Sequence, residues 1–238
     1  MDELYLRDCY LREFSAKVEN IKDDRFVVLD RTAFYPDSGG QPHDTGLIVK
    51  ENGEKFHVSY VRKVDGVISH EVTKEGLKAG DRVKGIIDWE RRFIFMQYHT
   101  ACHILTAVIH NETGAKISGN QLGEVRTRVD FNLEDFDREQ IGSYESKVNE
   151  IIDSNIPVSI DILPREDALG IPSVVKLLEA FPPELSQIRI INIQGIDMQA
   201  CGGTHIANTG EIPHIEMIKA ENKGRNNRRI YFSFRDRL

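Results

Sequence analysis

The sequence predicts an α+β protein in two parts: a small N-terminal β-barrel domain over residues 1–88, and an α+β domain with a metal site over residues 89–238. Three observations predict this class. The first part consists of short strand patterns between turn signals, with almost no helical periodicity. In the second part, helical and strand patterns mix without the regular alternation of a βαβ protein. That part also carries histidine and cysteine residues at spacings that suit a metal ion.

The first part contains six candidate strands. Turn signals rich in Gly, Asn and Asp separate them, for example Glu51-Asn52-Gly53 and Ala79-Gly80-Asp81. Six short strands at this spacing are typical of a small β-barrel. The predicted strands are Tyr10–Glu19, Arg25–Asp30, Gly46–Lys50, Lys55–Arg62, Gly66–Glu71 and Arg82–Asp88.

The segment Arg31–Gly46 does not follow a strand pattern. Its sixteen residues include three glycines and two prolines, which predict an ordered loop with constrained turns. One interpretation is a packed connector between barrel strands. The other is a functional loop, which we favour because Phe34-Tyr35 is costly to expose and the segment is longer than a hairpin turn.

The second part is predicted to start with a long helix over Trp89–Asn111, with Asp88 as its N-cap and its end at Gly114. A second helix is expected between Asp137 and Asp153, where apolar residues recur at helical spacing. The remaining predictions are strands at Val158–Leu163, Gln187–Gln194, Glu211–Glu221 and Arg229–Phe234, with helical stretches near Arg165–Leu169 and around Val174–Ala180.

His99 and His103 lie one turn apart on one face of the first predicted helix, so both rings can reach a single ion. Such a pair is common by chance and is a weak signal alone. The segment Cys201-Gly202-Gly203-Thr204-His205 strengthens it by adding a thiolate and a third imidazole on a short loop. Because magnesium and calcium prefer oxygen ligands, we expect the ion to be zinc.

The formal net charge of −7 argues against broad, non-specific binding of nucleic acid. It leaves room for a local patch, since Lys219–Arg237 carries seven basic residues against Glu221 and Asp236. No apolar run reaches the about 20 residues of a membrane span, and the start of the chain does not resemble a signal peptide. The three cysteines do not form the pattern of a disulfide framework, so we expect a cytosolic protein.

Three motifs in register resemble the editing domain of alanyl-tRNA synthetase. They are the glycine-rich loop from Phe34 to Gly46, the His99-x-x-x-His103 helix and the loop from Cys201 to His205. Over essentially its whole length the chain is similar to the free-standing relatives of that domain, the AlaX alanyl-tRNA editing proteins, in the form that keeps the N-terminal glycine-rich domain. The editing domain of threonyl-tRNA synthetase shares the histidine and cysteine pattern but not the glycine-rich loop, which favours alanine editing.

The resemblance implies a zinc-containing aminoacyl-tRNA deacylase that cleaves the ester of tRNA(Ala) carrying serine or glycine, with no obligatory protein partner. His99, His103, Cys201 and His205 occupy the family's metal positions. Many synthetase-fused members carry a Gln where this chain has Ile117, and Gln121 is the candidate to take over that role. For the serine hydroxyl we select Thr32. The expected tRNA-binding residues are Gly39, Gly40, Gln41, Arg228 and Arg229.

Two other functions stay open from the sequence. One is a zinc-stabilised tRNA-binding module without catalysis, in which four protein ligands close the metal site. The other is editing of Ser-tRNA(Thr). Whether the metal takes part in catalysis or orients the substrate also stays open, because four protein ligands leave no free coordination position.

Overall fold

The computed structural model of the protein describes residues 1–134, 138–171, 174 and 185–237. The chain divides into two compact units, Met1–Phe95 and Met96–Leu238. The domain boundary that the sequence predicts, after Asp88, lies just before a long helix that runs on past this division. Among the described residues, no helix combines the length and apolar character that crossing a membrane requires.

The first unit is built on a closed, six-stranded barrel, as the sequence predicts. The unit as a whole has eight strands: β1 (Asp2–Glu3), β2 (Glu13–Lys22), β3 (Phe26–Leu29), β4 (Arg31–Thr32), β5 (Gly46–Lys50), β6 (Lys55–Val64), β7 (Val67–Val72) and β8 (Arg82–Ile87). The barrel closes in the order β2-β3-β7-β6-β5-β8, with every neighbouring pair antiparallel. The short β1 and β4 pair in parallel beside it.

Buried side chains, which alternate with exposed ones along the strands, fill this barrel. Along β2, for example, Phe14, Ala16 and Val18 point inward while the residues between them are exposed. The loop after β4 adds Ala33, Phe34 and Tyr35 to the same core. The segment that the sequence predicts as an ordered loop is therefore packed into the barrel through its apolar residues.

Gly46, at the start of β5, marks a close approach between two barrel strands. Its φ is +154°, and an added Cβ would lie 2.1 Å from the carbonyl oxygen of Ile86. Any side chain at this position would force β5 away from β8.

The second unit combines helices with two antiparallel sheets, which confirms the α+β class. The elements are α1 (Trp89–Thr113, which begins in the first unit), β9 (Ile117–Gln121), β10 (Thr127–Phe131), α2 (Arg138–Asp153), β11 (Val158–Pro164), α3 (Arg165–Ala168), β12 (Gln187–Ile193), β13 (Asp197–Ala200), β14 (Ile215–Asn222) and β15 (Arg228–Phe234). The two sheets have the strand orders β14-β15-β10-β9 and β11-β12-β13.

Helix α1 forms as predicted and extends two residues beyond the predicted end at Asn111. Asp88 caps it, because its carboxylate accepts a hydrogen bond from the Arg91 amide at 3.3 Å. Further along, the Tyr98 ring stacks on Phe234 of β15 with 3.9 Å between ring centroids. This contact fixes the part of α1 that carries His99 and, one turn later, His103.

Several elements differ from the sequence predictions. Strands β9, β10 and β13 were not predicted, because they are short and gain their stability from neighbouring strands. The strand expected from Glu211 starts at Ile215, since Thr209–Glu211 forms a 3-10 turn that Asn208 caps. Of the helix expected around Val174–Ala180, Val174 is helical and buried, and the rest lies outside the described residues.

Candidate metal centre

The four predicted metal ligands meet at one point in the second unit. His99 and His103 project from α1, while Cys201 and His205 lie on the loop after β13. Their ligand atoms are all within 4.8 Å of one another. His99 and His205 are buried, the His103 side chain is 10% exposed, and Cys201 is partly buried. The chain thus brings together two motifs that stand about a hundred residues apart.

The separations within this cluster match those around a tetrahedral ion. Cys201 Sγ lies 3.6 Å from His99 Nε2 and 3.4 Å from His205 Nε2. With metal–nitrogen bonds of about 2.0–2.1 Å and a metal–sulfur bond of about 2.3 Å, tetrahedral angles place sulfur and nitrogen about 3.5 Å apart. The donor set and its spacing therefore fit a zinc-like ion.

Two side chains outside the cluster orient its imidazoles. The Thr100 hydroxyl donates to the Met96 carbonyl at 3.1 Å, so its oxygen accepts from His205 Nδ1 at 3.1 Å. This bond places the hydrogen of His205 on Nδ1 and leaves the Nε2 lone pair facing Cys201. In the same way His103 Nδ1 donates to the Asp197 carboxylate at 2.9 Å. Carboxylate and hydroxyl partners of this kind are typical of histidines that bind metals.

The loop that carries Cys201 is tied to β12. The Cys201 amide donates to the Arg189 carbonyl at 3.2 Å, and Arg189 Nη1 donates to the Cys201 carbonyl at 2.5 Å. The Gly203 amide also points at Cys201 Sγ, at 3.4 Å. Neither Gly202 nor Gly203 has a positive φ. The pairing with β12 thus helps to set the position of the thiol.

The electrostatics of the cluster suit a cation. Burial raises the pKa of the Cys201 thiol, but His99 and the hydrogen bond from His103 outweigh it and hold the pKa well below its ordinary value. Burial and the neighbouring His99 hold the pKa of His205 well below its ordinary value. Burial lowers the pKa of His103, while Asp197 and Cys201 raise it to about 10. The cluster therefore offers a thiolate and a neutral imidazole, with a proton on His103 that a metal ion would replace.

The residues predicted to read the substrate belong to the first unit. Thr32 is fully buried, with its hydroxyl oxygen 2.8 Å from His70 Nε2 and 3.1 Å from the Phe34 amide that donates to it. Gly39 and Gly40 form a tight turn with φ values of +58° and +83°. Gln41, which closes this turn, is buried. Their contribution to substrate binding stays a prediction.

The other predicted residues lie on the four-stranded sheet of the second unit. Gln121 ends β9 directly opposite Arg128 of β10. Arg229 donates two hydrogen bonds to the Asp130 carboxylate, from Nε at 2.6 Å and from Nη2 at 3.0 Å. Arg228 binds Asn222 and the Gly224 carbonyl, each at 2.9 Å, and so closes the turn between β14 and β15. Both arginines have internal contacts, and their contribution to tRNA binding stays a prediction.

Comparison with known proteins places these features in a family. Residues 8–91 match the family described as tRNA synthetases class II (A), and residues 188–231 match the threonyl and alanyl tRNA synthetase second additional domain. The chain is 52% identical to alanyl-tRNA editing protein AlaX-M of Methanosarcina acetivorans, over 98% of both chains. It is 42% identical to AlaX-M of Saccharolobus solfataricus, again over 98% of each.

A longer relative shows the same part of the sequence inside a ligase. The chain is 39% identical to alanine–tRNA ligase of Pyrococcus furiosus, over 92% of this chain and 24% of the ligase. The AlaX-M proteins, in contrast, align with it from end to end and are of nearly the same length. By this full-length similarity, the chain belongs to the AlaX-M family of alanyl-tRNA editing proteins.

Proposed function

We propose that this chain is an aminoacyl-tRNA deacylase that hydrolyses the ester of mischarged tRNA(Ala) in trans. The observation that carries the proposal is the convergence of His99, His103, Cys201 and His205 in a chain that aligns end to end with alanyl-tRNA editing proteins. The relatives of similar length are named for alanyl-tRNA and not for threonyl-tRNA. This naming favours tRNA(Ala) over tRNA(Thr) as the substrate. A tRNA substrate supports a cytoplasmic location.

Zinc is the proposed ion at the metal centre. Three imidazoles and one thiolate form a donor set that suits zinc and not magnesium or calcium. When bound, zinc supplies Lewis acidity towards a carbonyl or amino group. The protein's own contribution is orientation, because Asp197 holds His103 and Thr100 holds His205 in the required ring positions.

Serine is the proposed amino acid on the substrate, with glycine as a second. A synthetase pocket built for alanine cannot exclude glycine by size, and it rejects serine poorly because an added hydroxyl is a small change. A buried group that hydrogen-bonds the serine hydroxyl can favour serine over alanine, because alanine lacks the hydroxyl and cannot form that bond.

Thr32 can provide such a group. His70 Nδ1 donates to the Val27 carbonyl at 2.9 Å, so His70 Nε2 carries no hydrogen and accepts the hydroxyl hydrogen of Thr32. The Thr32 oxygen also accepts from the Phe34 amide. It retains one lone pair, which could accept a hydrogen bond from the serine hydroxyl. Gly39, Gly40 and Gln41 would lie along the end of the tRNA.

The test is deacylation of Ser-, Gly- and Ala-tRNA(Ala) by purified protein, with and without a chelator. We expect hydrolysis of the seryl ester, slower or no hydrolysis of the alanyl ester, and loss of activity when the metal is removed. Circular dichroism of the chelated protein separates a deacylase from a zinc-stabilised tRNA-binding module. The deacylase keeps its fold without activity, whereas the module unfolds. Absence of hydrolysis of all three esters by the metal-loaded protein would disprove the proposal.

A further inference from the structure

The four-stranded sheet of the second unit has one buried face and one partly exposed face. Val129, Ile230 and Phe232 belong to the buried face. On the other face a row of paired residues crosses all four strands: Gln121 lies opposite Arg128, Arg128 opposite Tyr231, and Tyr231 opposite Lys219. With strands about 4.8 Å apart, this row spans about 14 Å.

Two acidic residues on this exposed face, Asp130 and Glu221, are paired with cations. Arg229 binds both carboxylate oxygens of Asp130. Glu221, in β14, is paired with Lys219 and, at 2.9 Å, with Lys223. With the exposed Glu216 included, three carboxylates stand against five cations on this face: Arg229, Lys219, Lys223, Arg126 and Arg128. The face is positively charged although the chain has a formal net charge of −7.

Arg126 and Arg128 add further positive charge to this face, and Arg128 is only weakly paired with a carboxylate. Arg128 Nε lies 3.9 Å from Asp130 Oδ2, which is too far for a hydrogen bond, and it has no hydrogen-bond partner among the described residues. The Arg126 guanidinium stands over the Tyr231 ring, 5.4 Å from the centroid. Arg126 is exposed just before β10, and the Arg128 side chain is partly exposed on that strand.

We propose that this face, the basic sheet face formed by Gln121, Arg126, Arg128, Lys219, Arg229 and Tyr231, binds the sugar-phosphate backbone of tRNA. The inference rests on the proposed function and adds to it the surface that holds the RNA. Charge complementarity carries it: guanidinium groups pair with phosphate through two parallel hydrogen bonds, and cations on β10, β15 and β14, spread over about 10 Å, can meet more than one phosphate at once. The face has one aromatic ring and few exposed apolar side chains, which does not suit the apolar centre of a protein–protein interface.

Deacylated tRNA(Ala) provides a probe that is independent of catalysis. Its affinity is measured by fluorescence anisotropy as a function of salt concentration, for the parent protein and for Arg126→Gln and Arg128→Gln. Each variant should lower the slope of log K against log salt by about 0.7–1 unit, because each removes one phosphate contact. Lys22→Gln is the matched control, since it removes the same charge from an exposed position at the end of β2 in the barrel.

The outcomes separate the inference from the proposed function. The inference would be overturned if both arginine variants kept the salt slope of the parent protein, or if Lys22→Gln lowered that slope equally. This holds even if the parent hydrolyses Ser-tRNA(Ala). A reduced slope in the arginine variants, with no hydrolysis by the parent, would support the surface and refute the deacylase. Polyglutamate that binds the parent but not Arg128→Gln, while tRNA binding stays unchanged, would assign the face to an acidic protein and overturn the inference.

Discussion

Arg92 and Asp44 form an ion pair in which neither side chain is exposed to solvent. Arg92 Nε donates to Asp44 Oδ1 at 3.0 Å, while its other nitrogens donate to the Cys9 and Ala33 carbonyls. Asp44 also accepts from the Tyr35 amide at 2.6 Å. The pair therefore ties the first turns of α1 to both ends of the glycine-rich loop. Burial opposes the charge on Arg92, but Asp44 outweighs this effect and raises the pKa of the guanidinium.

Asp44→Asn should destabilise the protein strongly, because it leaves a charged guanidinium buried without its counter-ion. Removal of one partner of a buried pair typically costs about 3–5 kcal/mol. Urea unfolding of the metal-loaded protein measures this change. Asp2→Asn is the control, since Asp2 pairs with Arg7 at 3.0 Å on the surface and should have a much smaller effect. Equal losses in the two variants would contradict the prediction.

His70 makes the stability of the barrel depend on pH. Burial lowers its pKa from 6.5 to about 4. Between these values the unfolded chain binds a proton that the folded chain does not. The contribution of neutral His70 to the free energy of unfolding is therefore fully present above pH 6.5 and is lost as the pH falls towards 4. The expected total is about 3 kcal/mol. The free energy of unfolding of His70→Gln should lack this dependence on pH. Unfolding curves of the parent protein and the variant, measured from pH 4 to 7, would show the difference.

The sequence was most informative where local pattern and tertiary position agree. The barrel strands alternate buried and exposed residues, as in β6, so their period of two is visible before folding. The four metal ligands are predictable because each pair has a local spacing. Asp197 is not predictable, because its role depends on folding: it stands 94 residues from His103 and carries no local signal. For the same reason the internal contacts of Arg228 and Arg229 are not evident from the basic composition of their segment.

Metal content should follow the ligands and their orienting carboxylate. We expect about one zinc per chain in elemental analysis, with lower content in Cys201→Ala and His103→Ala. Asp197→Asn keeps all four ligands but weakens the hydrogen bond to His103, and it should lower zinc affinity about 10–100-fold in a chelator competition. Zinc content unchanged in both ligand variants would place the metal elsewhere, and unchanged affinity in Asp197→Asn would remove that residue from the site.

Arg228 and Arg229 should affect tRNA binding in different ways. Replacement of both by Ala should raise KM for Ser-tRNA(Ala) and make the salt dependence shallower by about one unit of slope per lost phosphate contact. Arg229→Ala should cause most of this change, because it also exposes the Asp130 carboxylate on the basic sheet face. Arg228→Ala should instead lower the melting temperature through the turn before β15. If the double variant keeps the salt slope of the parent protein, the two arginines do not contribute to tRNA binding.

Thr32→Val tests the proposed reading of serine by the smallest available change, since valine keeps the shape of threonine and removes its hydroxyl. If Thr32 accepts the serine hydroxyl, the variant should lose about 1–3 kcal/mol of discrimination between Ser- and Ala-tRNA(Ala) in kcat/KM, or roughly 5–150-fold, with unchanged zinc content. Thr32→Ser keeps the hydroxyl and should retain the discrimination.

Valine also leaves His70 Nε2 without its donor, so the free energy of unfolding is measured beside the kinetics, at a temperature where both variants are folded. Selectivity equal to that of the parent protein would assign the discrimination to another residue. An equal fall in both rates would mean that the glycine-rich loop positions the substrate without reading it. A selective fall in the seryl rate of Thr32→Val, restored in Thr32→Ser, is the result that the buried pair of Thr32 and His70 predicts.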